Sequence, residues 1–147
     1  MRHQPEVVIR KLEQMAEYLE RLDVMLRGLT QPVYVEEWRQ RHLTERLVEL
    51  IVEEGIDINM QLLGAAGKPP PADYYHSFTA LATLHVYPQT FARRVAWTTG
   101  LRNHLIHEYA AVDNIRVFRW LRPLHRAYRR YMRYVSAYLN RPMSKRS

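Results

Sequence analysis

The sequence predicts an all-α bundle of about five helices. Apolar residues recur at spacings of three and four, no segment alternates apolar and polar residues as a strand does, and the breaks between periodic segments are short. Short connections favour antiparallel neighbours. The 147 residues, 47% of them hydrophobic, suit one globular domain. We expect that domain at 1–140, followed by a basic tail at 141–147.

One-sided apolar stripes predict the first two helices. The first begins near Pro5, ends at Gly28 and carries Val8, Leu12, Met15, Leu19, Leu22 and Leu26. After a connector at 28–35, the second spans 36–63, and its periodic apolar residues are Leu43, Leu47, Leu50, Ile51, Ile58 and Leu62. Glu54 falls on this stripe and Gly55 interrupts it. Three consecutive prolines within 64–72 then end the helix.

Capping residues predict where three further helices begin. Asp73 can cap a short helix that runs to about Leu84, and Pro88 can open a fourth helix. The fourth carries Phe91, Val95, Thr98 and Leu101 on one side. Asp113 can cap a fifth, whose inner side holds Phe118, Leu121, His125, Tyr128, Met132, Val135 and Leu139. Pro123 must kink this helix or split it.

Composition excludes several classes of protein. The chain has no cysteine, which rules out a disulfide scaffold, a thiolate zinc site and a cysteine nucleophile. No apolar run exceeds four residues, so we expect no membrane-spanning helix and no secretory signal. These features favour a cytoplasmic protein that has no membrane partner.

The charge distribution favours a polyanionic partner. Residues 1–113 carry a formal charge of −3, whereas 114–147 carry ten cationic residues and no acid. Arg119, Arg122, Arg126, Arg129 and Arg133 follow helical spacing, which predicts a continuous cationic face. The candidate RNA contacts are Arg116, Arg119, Arg122 and Arg126. We interpret the interleaved aromatic residues as core; a merely solvated arginine face is the alternative.

Residues 101–109 place several ionisable groups at the end of an otherwise hydrophobic helix. Arg102 and His107 are five residues apart, so an unbroken helix points them roughly 140° apart. The two side chains could converge if the helix ends or bends near His107. A second copy of the chain could also bring an arginine and a histidine together across a symmetric interface. Histidine can deprotonate a 2′-hydroxyl and arginine can hold the phosphate, which is enough to cut RNA without metal.

Other interpretations of the polar residues remain open. His104 and His107 could hold a metal with Glu108, but no further ligand stands at a diagnostic spacing, so we expect no metal site. His125 lies on an apolar stripe and is interpreted as a hydrogen-bonded core histidine. Glu54 and Asp57 could be helix partners rather than catalytic acids.

The segment Gly-Leu-Arg-Asn-x-Leu-Ile-His-Glu-Tyr at 100–109 resembles the motif of HepT toxins, a branch of the HEPN ribonuclease superfamily. The motif residues are Arg102, His107 and Tyr109, and Asn103 is of a type favoured beside the arginine. Val112-Asp113, Ile56-Asp57-Ile58 and the proline-rich break before Phe78 are also similar. The likeness covers about residues 45–135.

The resemblance implies a HEPN bundle that pairs as a homodimer, with Arg102 and His107 as catalytic residues and Asn103 supporting them. It implies a metal-independent ribonuclease toxin that cuts RNA, with tRNA a plausible target. It also implies an MNT-type nucleotidyltransferase antitoxin that uses ATP to transfer AMP to Tyr109, so that the toxin needs no cofactor. A non-catalytic RNA-binding module and a nucleotidyltransferase accessory subunit are the alternatives.

Overall fold

The computed structural model describes residues 5–107 and 111–142, and in these ranges the chain is helical with no strand. The helices are α1 (Pro5–Leu26), α2 (Gln31–Glu36), α3 (Trp38–Ala65), α4 (Tyr74–Thr83), α5 (Gln89–Ala96), α6 (Thr98–His107) and α7 (Asn114–Leu139). The predicted all-α class is confirmed. Among these helices, none combines the length and the apolar composition needed to cross a membrane. Residues 143–147 of the predicted tail lie outside the described ranges, so the division at residue 140 stays a prediction.

Two additional helices come from local hydrogen bonds that the apolar pattern does not show. The predicted connector at 28–35 contains α2, because the Thr30 side chain caps its first turn and a proline stands near its start. The predicted fourth helix is divided at Trp97 into α5 and α6. There the Thr98 hydroxyl donates to the Val95 carbonyl at 2.7 Å, which competes with the regular helical ladder.

The two long N-terminal helices pack antiparallel to each other. Lys11, near the start of α1, lies 3.2 Å from the carboxylate of Asp57, near the end of α3. Gln40, near the start of α3, donates to the Met25 carbonyl near the end of α1. Leu43 was predicted to lie on the inner stripe of α3, but it is exposed, and the buried residues in this part of the helix are Thr44 and Val48.

The C-terminal helix also lies antiparallel to α1. His125 donates from Nε2 to the Leu19 carbonyl at 3.0 Å, and Arg122 reaches the Leu26 carbonyl at 2.8 Å. His125 is buried, which confirms its interpretation as a hydrogen-bonded core histidine. α7 continues through Pro123, so the proline does not split it.

Gly55 allows α3 to approach the aromatic core. A Cβ atom at this position would lie 3.0 Å from Tyr128 Cε1 and 3.2 Å from Phe78 Cζ, which is closer than ordinary packing allows. The Tyr131 hydroxyl donates to Asn59 Oδ1 at 2.6 Å and to the Gly55 carbonyl at 3.2 Å. Gly55, which interrupts the apolar stripe of α3, therefore lies where α3, α4 and α7 meet.

Candidate functional site

Arg102 is held in place by neighbours on two other helices. Its side chain is only 17% exposed, and its Nε atom lies 3.6 Å from Glu53 Oε2 on α3. Its guanidinium carbon lies 5.5 Å from the centre of the Tyr74 ring on α4. Nη1 donates to Asn103 Oδ1 at 3.4 Å, which places the predicted supporting residue beside the guanidinium. These contacts fix the direction of a group that can bind phosphate.

His107 is the last described residue of α6, and its side chain is exposed. Because α6 is helical from Thr98 through His107, Arg102 and His107 leave the helix roughly 140° apart. The structure therefore places both residues on one helix but does not bring them together through a break before His107. An exposed imidazole is accessible to a substrate, as a general base must be.

His104 has a contact that favours a structural role. The Asp113 backbone amide donates to its Nε2 atom at 3.4 Å, which requires that nitrogen to be unprotonated. The Asp113 carboxylate in turn accepts from the Arg116 amide and so caps α7. Within 5–107 and 111–142, no three His, Asp or Glu side chains gather as a metal site. Glu108, the third group of the metal alternative, lies outside these ranges, as does Tyr109.

Three acidic residues of α3 make ion pairs with neighbouring helices, two of them with α1 and one with α6. Glu54 and Asp57 face Lys11 of α1, at 3.9 and 3.2 Å, as helix partners would. Burial raises the pKa of Glu54; Lys11 lowers it, and the neighbouring Asp57 and Glu53 raise it further. Glu53, which the sequence reasoning missed, is the acid that contacts Arg102. A half-buried arginine requires an acidic partner, but spacing alone does not select it among neighbouring carboxylates.

The cationic face of α7 is interrupted at Arg122. The candidate RNA contacts Arg116, Arg119 and Arg126 are exposed. Arg122 is only partly exposed, and its Nη2 atom donates to the carbonyls of Leu26 and Leu29 at 2.8 and 3.0 Å. Its guanidinium therefore joins α7 to the last carbonyl of α1 and to the connector that follows, where the Leu26 carbonyl also accepts from the Leu29 amide at 3.1 Å. This geometry assigns Arg122 to the fold rather than to the predicted RNA-binding face.

The sequence matches known proteins over most of its length. The family model described as "Ribonuclease HepT-like" matches residues 15–135. The tRNA nuclease HepT of Aphanizomenon flos-aquae (strain 2012/KM1/D3) is 29% identical over 136 residues, which cover 92% of each chain.

Three solved structures share the fold. The tri-AMPylated HEPN toxin of Shewanella oneidensis, solved in complex with its MNT antitoxin, matches with a TM-score of 0.80 at 17% identity, covering 89% of this chain and 97% of that one. A mutant MntA–HepT toxin–antitoxin structure gives 0.79 at 17% identity, covering 89% and 98%. YutE, a cytosolic Bacillus subtilis protein of unknown function, gives 0.79 at 13% identity, covering 93% and 91%. The bundle has the predicted HEPN fold, and since the family model spans most of the sequence, this chain belongs to the HepT-like ribonuclease family.

Proposed function

We propose that this protein is a metal-independent endoribonuclease toxin in which His107 is the general base and Arg102 binds the scissile phosphate. The observation that carries the proposal is the fixed, half-buried Arg102 on the same helix as an exposed His107. Glu53 and Tyr74 hold the guanidinium in advance, so little reorganisation is needed when the phosphate binds.

The reaction uses the substrate's own nucleophile. His107 takes the proton of a ribose 2′-hydroxyl, and that oxygen attacks the adjacent phosphorus. The bond from phosphorus to the 5′-oxygen of the next nucleotide then breaks. The products are a 2′,3′-cyclic phosphate and a 5′-hydroxyl, once the leaving oxygen has taken up a proton. Arg102 stabilises the charge that gathers on the non-bridging oxygens, with Asn103 as its supporting neighbour. DNA lacks the 2′-hydroxyl and is therefore no substrate.

We infer that the working site forms in a homodimer. On an unbroken α6, one chain directs Arg102 and His107 to different sides. A two-fold axis beside α6 would place the arginine–histidine sets of two copies in a common cleft. The Arg102 of one copy and the His107 of the other could then act on the same phosphate.

The relatives suggest the substrate and the regulator. One similar protein is named a tRNA nuclease, and we propose tRNA as the RNA that this chain cuts. Similar folds occur in toxin–antitoxin structures, one of them with an AMPylated toxin and an MNT antitoxin. We therefore propose an MNT partner that uses ATP to place AMP on Tyr109. No cofactor of the toxin itself is needed.

Cleavage of purified tRNA in the presence of EDTA tests this function. We expect cyclic-phosphate ends from the wild-type protein with or without EDTA. His107→Ala should reduce the rate by about 10²–10⁴-fold, as loss of a general base does, and Arg102→Ala should also abolish cleavage. His42→Ala removes another exposed histidine, on α3, and should leave cleavage unchanged. Robust cleavage by His107→Ala, or a strict metal requirement, would refute the assignment.

A further inference from the structure

We propose that the cleft between α6 and α7 binds a nucleobase of single-stranded RNA, next to the bond that is cut. The inference rests on the proposed ribonuclease function and specifies how that function selects its cleavage site. The cleft has a volume of about 410 Å³, and its lining includes Trp97, Gly100, Asp113, Arg116 and Trp120. Cavities of this size accommodate small planar ligands.

Two tryptophans form the aromatic wall of this cleft. The ring centres of Trp97 and Trp120 lie 4.5 Å apart with their planes inclined at 45°, which keeps the two indoles together. Trp120 remains 38% exposed despite this contact. An exposed indole at the mouth of a cleft offers a stacking surface to any base, because every base has a π face.

The cleft lies on the same side of α6 as the proposed general base. Gly100 and His107 are seven residues apart, so they share a helix face and stand roughly 10 Å apart along the axis. Arg102 faces away from this side. A base seated in the cleft would therefore belong to a nucleotide near the attacked 2′-hydroxyl.

The polar residues of the cleft suit a nucleotide better than an aliphatic ligand. Arg116 is exposed at the start of the cationic face of α7 and can contact the phosphate attached to a bound base. The neighbouring acid, Asp113, already accepts from the Arg116 amide at 3.1 Å. The cationic side chain that a phosphate would meet beside the aromatic wall is that of Arg116.

Gly100 allows the cleft to be closed without disturbing the fold. A Cβ atom added there would meet no atom within 4 Å. Leucine also has a higher helix propensity than glycine. Gly100→Leu should therefore keep or raise the helical stability while its side chain occupies space in the cleft. Thermal unfolding of this variant distinguishes a loss of binding from a loss of folding.

The test measures the binding of a fluorescent single-stranded RNA of about 12 nucleotides, a length within the site sizes of proteins that bind single strands. All variants carry His107→Ala, so that binding is separated from cleavage. We expect Trp120→Ala and Gly100→Leu each to weaken binding about tenfold. Trp38→Ala, which removes an exposed tryptophan at the start of α3, should bind like the parent.

The cleavage sites of proteins that retain His107 provide the second measurement. We expect wild type to prefer certain nucleotides beside the cut bond, and Trp120→Ala to cut with a flatter preference. If Trp120→Ala binds RNA with the affinity of its parent and cuts with the nucleotide preference of wild type, the proposed base site is wrong. The proposed ribonuclease function would not be affected by that result. If Trp120→Ala sediments as a smaller assembly than wild type, Trp120 contacts a second copy of the chain in wild type. The cleft would then be covered by that copy, and the proposed base site would be wrong. Wild type that binds RNA through Trp120 but never cuts it would refute the nuclease and keep the base site.

Discussion

Glu53 Oε2 lies 3.6 Å from Arg102 Nε, and this ion pair joins α3 to α6 at the proposed phosphate-binding group. The same carboxylate oxygen lies 4.0 Å from Nη1 of Arg46. Glu53 is 36% exposed whereas Arg102 is 17% exposed, so the pair stands at the edge of the core rather than on the open surface. Its main effect is on the direction of the Arg102 side chain, because partly exposed pairs contribute little to stability.

Glu53→Gln should reduce RNA cleavage at least about tenfold, because a misplaced phosphate-binding group is costly even when the shift is small. The melting temperature should change little. Glu49→Gln is the matched control, since Glu49 pairs with Arg46 and makes no ion pair with Arg102. Single-turnover cleavage and thermal unfolding of the two variants measure both effects. Equal activities would show that Glu53 does not position Arg102.

Arg122→Ala should lower the free energy of unfolding by about 1–3 kcal/mol, because the carbonyls of Leu26, at the end of α1, and Leu29, in the connector, lose a charged donor. Arg119→Ala, three residues earlier and exposed, should stay within about 0.5 kcal/mol of wild type. Urea denaturation followed by circular dichroism gives both values. The same loss in both variants would contradict a specific role for Arg122.

Neutralising Arg119 and Arg126 together should weaken RNA binding and flatten its salt dependence. Each lost phosphate contact lowers the slope of log K against log salt by roughly 0.7–0.9. Replacing Arg93 and Arg94 of α5 with alanine removes the same charge from another exposed site and is the control. If both double variants change affinity equally, only net charge matters and the α7 face is not a specific RNA contact.

Tyr109→Phe should remain an active nuclease that its antitoxin cannot silence. The proposed base and phosphate-binding group are His107 and Arg102, and neither needs the phenol. AMP adds bulk and negative charge, as phosphorylation does, and a negative charge opposes the binding of a substrate phosphate. Intact mass after incubation with the MNT partner and ATP should show added adenylyl groups on wild type and none on the variant. A variant that still gains this mass has another acceptor; one that loses cleavage makes Tyr109 part of the catalytic machinery.

Apolar periodicity was enough to predict the class of the fold and most of the helices. Burial of one helix face is a repeated signal, so Val8, Leu12 and Met15 are each found in the core as expected. The break at Trp97 was missed because it depends on a threonine hydroxyl that competes for a carbonyl. Leu43 was misassigned because the polar Thr44, one residue further along, takes the buried position in this turn.

The motif residues of the site were predictable, but the groups that hold them were not. Arg102 and His107 stand in a recognisable order along the sequence. Glu53 and Tyr74 meet Arg102 only through tertiary packing of α3 and α4 against α6. Arg122 has the spacing of its neighbours on the cationic stripe, and only its contacts with the end of α1 distinguish it.

The close approach at Gly55 has a consequence for how this family can diverge. A methyl group at that position would lie 3.0 Å from Tyr128 and 3.2 Å from Phe78, so the rings of two other helices would have to shift. A relative with a larger residue there must carry a smaller ring at one of those positions or a wider separation of α3 from α7. Positions 55, 78 and 128 should therefore change together across homologues, with their summed side-chain volume held nearly constant.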